Sequence, residues 1–178
     1  MKSTVLLVFT LLFVFSCGSE KREAADTQNE SSTQSNASEA RAVEQAAFTD
    51  LEGNTVELSE FEGKVILIDF WETWCKPCLD SFPTMQKLVE EYPDKFVVLA
   101  VTPGFTNTVE DARQFAEKQE YDFVYLYDEN KLHQKLQVQG IPFKVFVDAE
   151  GNFIESSMGS RGPEGDYKHT KEIIEDHS

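Results

Sequence analysis

Apolar and polar positions divide the chain into an apolar leader, a polar stretch, and a longer segment in which short apolar runs alternate with amphipathic ones. Over 48–58, apolar residues alternate with polar ones on both arms of Glu52-Gly53-Asn54, the pattern of a β-hairpin. Glu62-Gly63-Lys64 makes a turn, and Val65-Ile66-Leu67-Ile68-Asp69-Phe70-Trp71 reads as a central strand covered on both faces. Met85, Leu88, Val89 and Tyr92 recur at helical spacing, so a helix is expected over 76–92, kinked at Pro83 and ended by Pro93. A second buried strand follows over 96–101, then a helix over 106–119 with Thr108 as N-cap and Phe115 on its apolar face. A short strand over 123–127, a short helix over 130–136, a hairpin of 143–147 with 153–157, and a helix over 166–176 complete the pattern. Strands alternating with helices imply an α/β sheet covered on both faces. Functional groups then belong at the strand ends, where Cys75 lies.

The leader changes the picture of where the domain works. Lys2 precedes an apolar run over 5–15 broken only by Thr10, too short for a mature membrane span and laid out like a secretory signal. Val14-Phe15-Ser16-Cys17-Gly18 resembles a bacterial lipobox, in which the cysteine becomes the lipidated first residue; an ordinary cleaved signal with a chance cysteine is the alternative. Residues 1–16 are thus expected as signal peptide and 17–45 as a lipidated cysteine with a disordered tether, being rich in Ser, Glu, Gln, Asn, Thr and Ala. Residues 46–178 are long enough for one domain with a sizeable core. The net charge of −16 argues against nucleic-acid binding and against an anionic membrane surface.

Candidate chemistry centres on Trp74-Cys75-Lys76-Pro77-Cys78. Two cysteines one helical turn apart can bond reversibly. A helix start favours a thiolate there through unpaired N–H groups and the positive end of the dipole. A C-x-x-C can also be half of a zinc site, but this chain has no second pair, its only other cysteine being Cys17. Asp69 stands out in its apolar strand: buried, it needs a partner or a proton, whereas at a strand edge it would simply face water. His133, His169 and His177 fall on polar segments and read as surface residues.

Phe70-Trp71-Glu72-Thr73-Trp74-Cys75-Lys76-Pro77-Cys78 is similar to the active-site segment of the thioredoxin superfamily. With the leading hairpin, the unit around 106–127, and Gly140-Ile141-Pro142 before a strand, the chain resembles TlpA/ResA-type thiol-disulfide oxidoreductases over about 48–159. The resemblance implies a thioredoxin fold with an N-terminal β-hairpin and an inserted helix–strand unit. It implies an enzyme without a cofactor or metal, and a monomer. Its domain would face the periplasm from a lipid anchor in the cell envelope. It implies electron exchange with cysteine-containing exported proteins, net reduction being favoured, and a membrane electron donor.

Carried onto this chain, Cys75 is the exposed nucleophile and Cys78 the shielded resolving thiol. Lys76 and Pro77 tune the redox potential, although Lys76 reads equally well as solvated surface. Asp69 is a buried base for Cys78. Pro142 is a cis-proline that presents Ile141 to an extended partner chain, and Trp74 is an apolar docking surface. Trp71 is either docking surface or core. Ser81 stands where relatives usually carry Glu, so that residue's proton-handling role does not transfer; Asp69 could take it in part, with field effects from Asp80 or Glu72. Two other functions remain open. A peroxiredoxin-like peroxide reductase shares the fold, but its Pro-x-x-x-Thr-x-x-Cys approach is absent. A Cu(I)-handling module would use the two cysteines as soft ligands.

Overall fold

The computed structural model describes residues 36–178, so the expected signal, lipobox and first part of the tether lie outside the described residues. Residues 36–44 are helical (α1), which corrects the tether expected through 45. Val43 on this helix is fully buried, and Glu39 and Glu44 accept hydrogen bonds from Ser156 Oγ and Phe153 N. The folded unit thus starts before 46 because one apolar anchor and two carboxylates fasten this helix.

Seven strands form one mixed sheet: β1 Ala47–Asp50, β2 Thr55–Glu57, β3 Val65–Phe70, β4 Phe96–Thr102, β5 Val124–Tyr127, β6 Phe143–Val147 and β7 Phe153–Met158, in the order β2-β1-β5-β4-β3-β6-β7. β3, β4 and β5 run parallel, and β6, β7, β1 and β2 join antiparallel. β3 and β4 are buried at every position, as continuous β-branched runs between two layers require.

Strand alternation sends β3 side chains into two cores. Val65, Leu67 and Trp71 face α2 Lys76–Glu91 and α5 Gly162–His177, meeting Cys78, Phe82, Met85, Leu88, Ile173 and Ile174. Ile66, Ile68 and Phe70 face the opposite core with Val43, Phe48, Leu58 and Leu132. Asp69 shares the face of Leu67 and Trp71, which puts a carboxylate on the side of the cysteines.

The expected elements form with shifted ends. α3 spans Val109–Ala116, inside the helix expected over 106–119, because Thr108 caps it through Asp111 N. α4 is only Leu132–Lys135, and α5 begins at Gly162 rather than 166, with Pro in its first turn. α2 runs through Pro83 as one helix.

Candidate active site

Cys75 is the N-cap of α2, its N–H donating to Glu72 O at 2.9 Å, and Pro77 lies in the first turn, where a missing N–H costs nothing. Cys75 and Cys78 are disulfide-bonded with Cα atoms 5.3 Å apart. Cys75 is 2% exposed and Cys78 fully buried, so in this oxidised state the expected exposure of Cys75 does not hold. The neighbouring Trp74 takes the exposed position instead, 57% open.

Lys76 Nζ donates to both carboxylate oxygens of Asp80 at 2.7 Å, so its charge is shared with an exposed carboxylate one turn on. Ser81 is buried and its Oγ donates to Cys78 O at 2.7 Å. Trp71 is core: its ring packs against Phe82, Phe115 and Tyr125.

Asp69 is fully buried, and its oxygens accept no hydrogen bond among the described residues. Lys144 lies directly opposite on β6, with Nζ 3.5 Å from Asp69 Oδ2 and 4.0 Å from Asp166 Oδ2 of α5. Asp166 is itself held by Ser160 Oγ and Arg161 N. Burial pushes the Asp69 pKa up; Lys144 opposes that shift and Asp166 adds to it. Neither Lys144 nor Asp166 was among the candidate residues. Lys144 had a visible signal, a lone cation in the apolar run Phe143-Lys144-Val145-Phe146-Val147.

Glu72 was expected to act through its field, and its placement is more specific. It is fully buried and ties the cysteine loop to the loop after β4. Gly104 in that loop has φ +76°, and a Cβ there would run into the Tyr127 hydroxyl. His133 corrects a second expectation: it is 7% exposed, with Nδ1 2.6 Å from Asp128 and its ring edge-on to Phe105. His169 pairs with Glu155 at 2.7 Å.

The Ile141–Pro142 peptide bond is cis, and Pro142 precedes Phe143, which is paired with Phe70 at the end of β3 from which the cysteine loop departs. Ile141 has no backbone hydrogen bond among the described residues. Among the described residues no three His, Cys, Asp or Glu side chains converge as metal ligands.

Residues 38–156 match the model of the AhpC/TSA family. The chain is 34% identical over 113 residues to the thioredoxin-like protein YneN of Bacillus subtilis, covering 62% of this chain and 65% of that protein. It is 30% identical over 127 residues to the thiol-disulfide oxidoreductase ResA of Bacillus thuringiensis, covering 70% and 72%. The solved structure of an exposed lipoprotein thioredoxin of Streptococcus pneumoniae superposes with a TM-score of 0.59 at 28% identity, over 71% of this chain and 98% of that one. The chain belongs to the AhpC/TSA family and, with its pair at Cys75 and Cys78 in a thioredoxin-like fold, to the ResA-like thiol-disulfide oxidoreductases.

Proposed function

We propose that the protein is a reductant of disulfides in exported proteins, working outside the cytoplasm from a lipid anchor at Cys17. The observation that carries the reading is the pair itself, a disulfide at a helix N-terminus beside the unpaired backbone of Ile141. An extended partner segment pairs with Ile141 and brings its disulfide to Cys75, with Trp74 as apolar contact. The Cys75 thiolate attacks one partner sulfur, and the other leaves as a thiolate and takes a proton from water. Cys78 gives its proton to the Asp69 carboxylate and attacks Cys75, breaking the mixed disulfide; the second partner sulfur leaves as a thiolate and takes a proton from water, and Asp69 returns its proton to solvent, restoring the carboxylate. The partner gains two electrons and two protons, and the Cys75–Cys78 disulfide forms. A membrane dithiol donor then restores the dithiol.

Cys78→Ala should accumulate mixed disulfides through Cys75 with exported proteins, detected as thiol-sensitive adducts. No adduct under any redox poise would refute exchange. Hydrogen peroxide should not oxidise the dithiol faster than it oxidises an ordinary dithiol, the result that separates this reading from a peroxide reductase. Cys17→Ser should move the protein from the membrane fraction to the soluble one; persistence at the membrane would exclude the lipid anchor.

A further inference from the structure

Glu72 is a fully buried carboxylate beside the disulfide. Its Oε1 accepts from Phe105 N at 2.6 Å and Thr106 N at 3.1 Å. Its Oε2 accepts from Trp74 Nε1 at 2.6 Å, Thr106 Oγ1 at 2.7 Å, Thr106 N at 3.1 Å and Asn107 N at 3.3 Å. Trp74 Nε1 also lies 2.7 Å from Thr106 Oγ1, and Thr73 N donates to Asn107 Oδ1 at 2.7 Å. A buried charge is tolerable only when its lone pairs are filled, and here backbone amides of one loop and the indole of the other fill them. The consequence is mechanical: Trp74 cannot swing without breaking bonds that also order residues 105–107.

What the clamp holds is apolar and open. The large exposed hydrophobics among the described residues are Trp74, Phe105 and Met158, at 57%, 41% and 65% exposure. Phe105 follows β4, on one side of β3, and rests on the His133 ring. Met158 ends β7, on the other side, opposite Phe143 and next to Gly140. The exposed apolar side chains thus flank the end of β3 where Cys75 and Ile141 lie, continuous with the surface of the exchange reaction. Isolated exposed apolar residues need no explanation, but their confinement to the two flanks of one site does.

We propose that Glu72 is a positioning residue that locks Trp74 and Phe105 into one preformed rim, selecting extended cysteine-bearing segments with bulky apolar side chains beside the cysteine. This rests on the exchange reading above. A preformed rim favours association because the ordering of two aromatic side chains precedes binding.

The test is single-turnover reduction of two disulfide-linked peptide dimers by the prereduced protein, one with Leu and Phe flanking the cysteine, the other with Ser and Gly. Wild-type protein should prefer the apolar dimer by about tenfold in second-order rate, the equivalent of partly burying one such side chain. Glu72→Gln and, with the hydroxyl replaced by a methyl group of similar shape, Thr106→Val should erase most of that preference, chiefly by raising the half-saturating peptide concentration rather than lowering the plateau rate. Acrylamide should quench Trp74 more readily in both variants, while buried Trp71 stays protected. An apolar preference that survives in folded variants with a loosened indole overturns the proposal. So does a loss that is equal for the two dimers, which would mean Glu72 acts on the sulfurs. If wild-type protein reduces neither dimer nor oxidised glutathione, the exchange reading fails, and this inference with it.

Discussion

Asp69 carries two opposed influences on its proton. Burial and Asp166 raise its pKa, and Lys144 at 3.5 Å lowers it. If Asp69 takes the Cys78 proton, it must be ionised to do so, and reduction should speed up as pH rises through its pKa. Lys144→Met removes the lowering influence and should move that limb of the pH–rate profile to higher pH, by about one unit or more. Asp166→Asn removes a raising influence and should move it to lower pH. Shifts of the same sign in both variants would show that the limb belongs to another group. Stability follows with its own sign. A folded pKa raised above the usual 3.8 gives Asp69 a contribution to stability that is complete below that value and is lost as pH rises through the folded one. Urea unfolding across this range should show the decline in wild-type protein, with Asp69→Asn flattening it. Asp69 was legible because a carboxylate in a β-branched run is anomalous wherever the chain goes. What it faces was not, since Lys144 and Asp166 reach it only through strand pairing and helix packing. His133 was misread for the same reason: its partner Asp128 is near in sequence, but Phe105 covers the pair from another element.

At the level of elements, strands were more legible than helix ends. β3 and β4 are uniform apolar runs, and both faces are covered as such runs demand. Helix limits depend on which residue caps, and in α3 the box of Thr108 with Asp111 wins over the amphipathic signal that begins earlier. The short helix over 36–44 gave little periodic signal, since Val43 is its one large apolar residue and its companion in the core is only Ala42. Between elements, the loop after β4 depends on Gly104. Ala there combines φ +76° with a clash on Tyr127, and should cost about 1–3 kcal/mol, read as a lowered urea midpoint. The same change should loosen the Phe105–Thr106 contacts with Glu72 and raise acrylamide quenching of Trp74. Loss of stability with Trp74 quenching unaltered would separate that loop from the indole. In α2, Ser81→Ala removes a buried donor to Cys78 O and should cost about 1 kcal/mol in the same measurement.

Across the whole molecule, the sheet separates two cores, and α1 belongs to the one away from the disulfide. Val43→Ala should therefore lower stability by about 2 kcal/mol while leaving the rate of disulfide exchange near that of wild type. A matching fall in exchange would mean that the two cores are not independent. Lys144 does the opposite of separating parts: it joins the central strand β3, the strand β6 and the C-terminal helix α5 through one ammonium group between two carboxylates. That arrangement constrains descent. Losing Lys144 leaves Asp69 buried beside Asp166 without a cation, and losing Asp69 leaves the ammonium with one carboxylate at 4.0 Å, so each single step is penalised. Positions 69 and 144, distant along the chain, should therefore be inherited as a unit, with neutral residues at one accompanying neutral residues at the other.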